Sequence, residues 1–445
     1  MSSEYMSSPF TEASIASLLV SCLRRPEACR AAQPAAAASD NQPAVVKTAP
    51  TGALDFAEIR GRFPGVDTVV YLNTGGFGLM PDVARQAVIE GYTDLATRID
   101  PMAWYARCRE QEVELRARIA RFVGADADEI ALKISMVDGY GSVLWGLDWR
   151  PGDRVVVSDE EHPSPRLAVE LAARQFGLEV VNLPIRPLDG FLDALRAALH
   201  RPTRLVALSH VTTDSGTVLP AREVGRLAHE AGALVLLDGA QALGQGPVDL
   251  HELGCDFYAA MGYKWLLGPA GTGLLYVGKT SQRHLRSVIG SGAVRWTDLP
   301  RGRYEEDDTA ARFEFATRAW PQYAALGASI ELLSQIGMSA IQGRVAGLVA
   351  RLRAGLGEID GVRIHTPALT GWSTGIVAFS LDGVPGRDLT ARLRSGWNVV
   401  QRAATMVGDE GGVRISLALY TSEDEVDLLS RAVREIAVSR PSPTP

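Results

Sequence analysis

The sequence is poor in lysine. Lys47, Lys133, Lys264 and Lys279 are its only lysines in 445 residues, although arginine is abundant. Arginine stays protonated and cannot replace lysine as an imine-forming nucleophile, so such chemistry has few candidate amines. Cysteine is scarce too. Cys22, Cys29, Cys108 and Cys255 show neither metal-ligand spacing nor a disulfide framework. No metal site is expected, and a reducing cytoplasm fits. Basic charge is not in excess: the net charge of −7 argues against a general nucleic-acid or anionic-membrane binder. The short apolar run from Ile15 to Leu23 cannot span a membrane. Its arginine pair follows it, the wrong order for a secretory signal.

The chain is long enough for two domains and a sizeable core, with ordinary charged and apolar fractions. Residues 1–52 differ from the rest. They are rich in Ala, Ser and Pro and are expected to be disordered, as a docking segment or the product of a start codon placed too early. The remainder alternates apolar strand-like runs with helical periodicity, and its last part, with a strand at 375–380 and a helix at 386–395, reads as a small α+β domain.

The stretch from Ala233 to Gly278 is the most informative. One apolar run ends in Asp238, and a second, Asp256 to Ala260, leads to Lys264. Short apolar runs bounded by glycine suggest buried parallel strands. Ligands of such sheets sit at the carboxyl ends of strands, where Asp238 and Lys264 would lie. An amine that forms a Schiff base and a carboxylate that keeps a pyridine nitrogen protonated together suit pyridoxal phosphate (PLP). Taken singly, each residue also fits a surface lysine or a helix-capping aspartate.

In order, DGAQALG, YKWLLGP and GTGLLYV resemble the class V aminotransferase family of fold-type-I PLP enzymes. That family includes cysteine desulfurases, isopenicillin N epimerase-like proteins, kynureninase-like enzymes and lyases. The resemblance runs from about Tyr71 to Asp427. It implies an α/β fold with a mostly parallel seven-stranded sheet in a large domain (53–317) and a small α+β C-terminal domain (318–440).

The same resemblance implies roles for particular residues. His162, in the EH motif after a strand, would lie flat against the cofactor ring and take part in proton transfer. Gln241 would bond the phenolic oxygen, and Thr213 stands where relatives often have an Asn that contacts the ring hydroxyl. The turn Met136-Val137-Asp138 stands where relatives carry adjacent threonines on the phosphate. Side-chain hydroxyls are lost there, but the amides opening the following helix can still form a phosphate cradle, and Ser135 or Ser142 can compensate. Thr317 matches the threonine that reaches the phosphate of the partner subunit, which implies a homodimer. Arg414, in the closing GVRISLALYTSEDE segment, would bind the substrate α-carboxylate through paired N–H groups. Asn73 and Thr74 are either substrate contacts or turn formers. His210 reads as a core histidine, and Trp104 and Tyr105 as packing aromatics.

Departures bear on the reaction. Tyr263 and Met261 replace the His and the Ser or Thr of many desulfurases. The loop Trp397 to Gly411 contains no cysteine, whereas a desulfurase needs a thiolate there. The expected activity is therefore a carbon–sulfur lyase, working by β-elimination on a cysteine-derived amino acid, with secondary metabolism as the expected setting. Epimerisation, transamination and (oxidative) decarboxylation are the alternatives, and a pseudoenzyme that keeps the fold for binding is the non-enzymatic one. The purified protein is expected to be yellow, with an absorbance band that borohydride removes and that Lys264→Ala abolishes. A colourless protein that takes up no PLP would support the pseudoenzyme.

Overall fold

A computed structural model describes residues 54–97, 100–290, 293–368 and 374–439. The Ala/Ser/Pro-rich tail, with Lys47, Cys22 and Cys29, lies outside the described residues.

The first strand, β1 (Val70–Tyr71), precedes the main sheet. That sheet contains β2 (Ile130–Lys133), β3 (Arg154–Ser158), β4 (Glu179–Leu183), β5 (Leu205–Ser209), β6 (Leu234–Asp238), β7 (Phe257–Met261) and β8 (Gly273–Val277). Their spatial order is β2-β8-β7-β6-β5-β3-β4. Strands β3 to β7 run parallel, while β8 is antiparallel to both of its neighbours. RVVVS, LVALS and LVLLD are nearly continuous apolar runs because helices cover both faces of such a sheet. Two large apolar clusters fill those faces.

The chain leaves β3 towards β4 on one side and returns to β5 on the other. The crevice at that reversal, beyond the strands' carboxyl ends, is where a doubly wound sheet binds its ligand. Segments leaving β3, β5, β6 and β7 carry His162, Thr213, Asp238 and Lys264 respectively. The helix Met136–Gly146 begins three residues after β2, capped by the Ser135 side chain on the Asp138 amide.

A hairpin of β9 (Val294–Asp298) and β10 (Arg303–Glu306) follows the main sheet. A second sheet takes the order β11 (Val362–Ile364), β12 (Ile376–Leu381), β15 (Gly412–Ser416) and β14 (Arg402–Ala404), all antiparallel. Strand β13 (Val399–Val400) pairs with β1, and Asn73 bridges Ser416, so the early segment 70–73 is stitched to the later sheet. The helix Trp320–Ile336, expected in the smaller domain, packs on the helices Asp82–Thr97 and Pro101–Val123. Trp104 and Tyr105 lie within the latter helix and meet Trp320 edge-on at 5.5 and 5.2 Å, which is a packing role. Among the described residues no single helix is long and apolar enough to cross a membrane.

The loop after β1 approaches the Lys264 segment closely. Gly78 donates its amide to the Tyr263 carbonyl at 2.8 Å, and a Cβ at Gly78 would stand 2.0 Å from the Lys264 carbonyl oxygen. Only glycine fits there. Gly78→Ala is expected to cost about 3 kcal/mol in denaturant unfolding, because backbone must move to admit the methyl. Gly141→Ala, with open space around it in a helix, is expected to gain about 0.5–1 kcal/mol.

Candidate active site

Asp238 ends β6 and Lys264 stands three residues beyond β7, the adjacent parallel strand. Both are buried, at 4% and 8% exposure. Burial lowers the Lys264 ammonium to about 8, against the pull of Asp238 and with the help of Arg414 and Arg402. Burial likewise raises Asp238 to about 6, although Lys264 and the Ala240 amide, 2.7 Å from Oδ1, favour its charged form. Desolvation dominates at both groups. An amine near 8 is a serviceable base at neutral pH.

His162 caps the helix Pro163–Phe176, and its Nδ1 accepts the Ser164 amide at 3.2 Å. The ring proton is thereby left to Nε2. Burial and the nearby charges of Lys264, Arg402 and Arg414 depress it to about 4, so it is neutral at physiological pH.

Arg414, on β15, is fully buried. It donates to the Thr213 carbonyl at 3.1 Å, to Thr213 Oγ1 at 3.4 Å and to Asn73 Oδ1 at 3.1 Å. Its Nε has no hydrogen-bond partner among the described residues. Burial and Arg402 lower its proton affinity, to about 9. A buried guanidinium held by neutral acceptors and lacking a hydrogen-bonded counter-anion is poised for a carboxylate ligand.

The other residues singled out in the sequence make contacts of their own within the protein. Gln241 has its amide engaged: Nε2 donates to the Gly75 carbonyl (2.9 Å) and Thr213 Oγ1 (3.4 Å), and Oε1 accepts from Trp265 Nε1 (2.9 Å). It braces the glycine loop against the site. Thr74 is buried with its hydroxyl 2.7 Å from that of Tyr420, while Asn73 orients Arg414. Asp138 pairs with buried Lys133 at 3.0 Å and accepts the Ile134 amide. Like charge would oppose phosphate in any case. Met136 is buried, and Val137 half-buried, in the first turn of the helix, where the leading amides have no partner within the helix. His210 is a core histidine with Nδ1 3.1 Å from the Tyr258 hydroxyl.

Thr317 stands apart. It is exposed and lines a cavity of about 590 Å³ with Arg109, Arg116 and the β9–β10 hairpin. Its φ of 57° is an unusual value for a β-branched residue. The neighbouring Arg318, ion-paired with Glu112 and Glu314, fixes the segment.

Sequence reasoning missed two groups at the crevice. Asp214 is buried next to Thr213, and its Oδ2 accepts the Thr405 and Met406 amides at 2.8 and 3.1 Å. Arg402 on β14 lies 3.8 Å from Asp214 Oδ1. The signal was present only as a carboxylate and a guanidinium in segments that already carried candidate residues.

Lys264, Asp238 and a neutral histidine beyond the carboxyl ends of a doubly wound sheet, with an arginine contributed by the second sheet, fit a fold-type-I PLP enzyme. The Aminotransferase class-V family matches residues 70–429, and the chain belongs to that family. It is 31% identical over 396 residues to a probable cysteine desulfurase of Methanothermobacter thermautotrophicus, covering 85% of this chain and 98% of that one. It is 32% identical over 400 residues to the isopenicillin N epimerase of Streptomyces clavuligerus, covering 85% and 98%. Among solved structures it resembles a cystine C–S lyase in complex with its product cysteine persulfide (TM-score 0.78, 28% identity, 85% and 100% covered). A lysine-to-alanine mutant of that lyase carries glycine covalently linked to its PLP cofactor (TM-score 0.77, 28% identity, 84% and 99% covered).

The cofactor is pyridoxal phosphate, and the residues present suit it. Lys264 offers a buried amine of lowered proton affinity, and Asp238 a carboxylate whose one hydrogen-bonding protein donor is an amide. The amides of Met136 and Val137 offer a phosphate its donors. Arg414→Lys keeps the charge but loses the planar fork. It is expected to weaken amino-acid binding about tenfold or more, read from the change in cofactor absorbance on titration, with PLP uptake retained.

Proposed function

We propose that this chain is a PLP-dependent carbon–sulfur lyase that cleaves a cysteine-derived amino acid by β-elimination. The observation that carries the reading is the strand and turn that follow Trp397. Residues 397–411 hold no thiol, and Asp214 clasps Thr405 and Met406. Cys108 and Cys255 are buried and free, and burial raises both thiols, so neither is a reactive thiolate. Among the described residues no sulfur-accepting cysteine lies in the catalytic crevice, and sulfur leaves on the departing thiol instead.

PLP, when bound, withdraws electrons from the bonds at the substrate Cα. Arg414 and Asn73 hold the α-carboxylate and thereby fix which Cα bond faces the base. Lys264 Nζ takes the Cα proton, and the Cβ–S bond breaks with its electron pair leaving on sulfur. A proton returned from Lys264 completes the thiol. The three-carbon remainder hydrolyses to pyruvate and ammonia. His162, neutral, would support the ring without adding charge.

Epimerisation is the second reading. It is supported by the epimerase relative and by Tyr263, which is half-buried beside Lys264 with its ring 5.0 Å from Phe77. A proton delivered to the opposite face of Cα would invert it. Transamination and decarboxylation remain outcomes of the same test. The reading also includes a homodimer in which Thr317 reaches the partner's phosphate, and a cytoplasmic role in secondary metabolism. Thr317's exposure and rigid, unusual backbone support the dimer.

Incubating the holoenzyme with cysteine conjugates in deuterated water separates these. Thiol and pyruvate in equal amounts are expected. Deuterium at Cα with racemisation would replace the lyase by the epimerase, and conversion of the cofactor to its amine form would indicate transamination. Persulfide trapped on the protein would overturn the argument from residues 397–411.

A further inference from the structure

Three consecutive acids follow β3, and the structure treats them differently. Asp159 accepts the Ile185 amide at 3.0 Å. Glu160 is paired with Arg186 at 2.9 Å and accepts the Ser215 hydroxyl. Glu161 is buried and has no ion pair among the described residues. Its Oε1 accepts the Ser158 hydroxyl at 2.5 Å and the Ser209 amide at 3.0 Å, and its Oε2 accepts the Ser209 hydroxyl at 2.6 Å. Three donors are built around a carboxylate in the interior with no cation supplied. Such a group is costly to keep, and its cost is relieved when a cation arrives nearby.

The place for that cation is given by register. Ser209, which grips Glu161 from two sides, sits directly opposite Asp238 on the adjacent parallel strand. Strands in a sheet lie about 4.8 Å apart, so the two carboxylates occupy neighbouring positions at one sheet edge. They repel each other through the interior. Tyr140, on the helix Met136–Gly146, is buried within electrostatic reach of both carboxylates, and its hydroxyl has no hydrogen-bond partner among the described residues. Tyr258, on β7, faces Asp238 from the other side, and Lys264 faces it across the crevice. Among the described residues this part of the interior holds two acids, two phenols, one amine and His210, whose Nδ1 lies 3.1 Å from the Tyr258 hydroxyl and which burial holds neutral. Once that amine is engaged with the cofactor, a protonated ring nitrogen would supply positive charge to the two acids, while Arg402 and Arg414 act on Lys264 and His162.

We propose that Glu161 is a positioning residue for the cofactor ring: held by Ser158 and Ser209 behind Asp238, it supplies a second negative charge that keeps the ring nitrogen protonated. The proposal rests on the placement of Asp238 against that nitrogen. Glu161 does not touch the cofactor; it acts through Asp238 and through the field of the shared pocket. Burial raises Glu161 to about 7, so its charge in the empty site is marginal near neutral pH and is drawn out when the cation enters. Glu161 also immediately precedes His162, so the same anchoring by two serines fixes the residue that faces the ring.

The test is a pH titration of the cofactor absorbance in the holoenzyme, with the rate of cofactor loss on dilution measured alongside. Glu161→Gln is expected to keep the band but move its midpoint down by about one pH unit, and to release the cofactor about tenfold faster. Glu161→Asp, which keeps the charge, is expected to restore most of the midpoint; a purely packing role would disturb both variants alike. Should Glu161→Gln not fold, Ser209→Ala serves. It removes a donor from the carboxylate, drives a proton onto Glu161 and is expected to shift the midpoint in the same direction by a smaller amount. An unmoved or raised midpoint in Glu161→Gln, or in Ser209→Ala where that stands in, overturns the inference. If Asp238→Asn then still moves the midpoint, the role of Asp238 survives alone. If it too leaves the midpoint unchanged, the placement of Asp238 at the ring nitrogen falls as well.

Discussion

Incomplete compensation of buried charge governs this molecule. Lys264, Asp238, Glu161 and Arg414 all lie in the interior, and burial pushes each towards its neutral form. A protein optimised only for its own stability would pair such groups tightly or replace them with apolar residues. Here the missing partners are those a ligand brings: a ring nitrogen for the acids, an aldehyde for the amine, a carboxylate for the guanidinium. The fold holds a set of half-finished interactions in place, and the cofactor and substrate complete them.

The scaffold around those groups is what makes the arrangement tolerable. Parallel strands end together, so residues far apart in the chain gather at one edge without any loop having to travel far. The later sheet contributes Arg414 and Arg402, and β1 and its loop contribute Asn73 and the tightly apposed Gly78. Because β1 pairs with β13 and Asn73 bridges Ser416, the early segment carries the position of the later sheet directly into the crevice. The segments that carry Asn73 and Arg414 are thus mechanically joined through backbone hydrogen bonds.

Much of the plan was legible in the sequence, and the reasons differ by residue. Lys264 and Asp238 could be read because apolar runs mark buried strands and their ends mark the ligand edge. The helix opening at Met136 was legible as a strand–turn–helix pattern. What side chains do once placed was not. Nothing in DGAQ announces that the Gln241 amide is taken up by Gly75, Thr213 and Trp265, nor that Asp138 turns back to Lys133. Those outcomes depend on how segments meet in three dimensions, from 166 residues apart for Gly75 and Gln241 to 24 for Gln241 and Trp265. The hairpin β9–β10 was invisible because VRWTD and RYEE are mostly exposed and lack an apolar face. Glu161 was visible only as part of the motif around His162; its lack of a cation emerges from three-dimensional neighbours alone.

The grip of Asp214 on residues 405 and 406 has a consequence for redesign. Delivering sulfur to an acceptor protein requires a carrier that swings between the catalytic chamber and the outside. In this chain the equivalent stretch is clasped at two consecutive amides by one carboxylate. Grafting a thiol onto it would create a carrier that cannot travel, so a sulfur-relay activity would have to be engineered by loosening the tether as well as by adding the nucleophile.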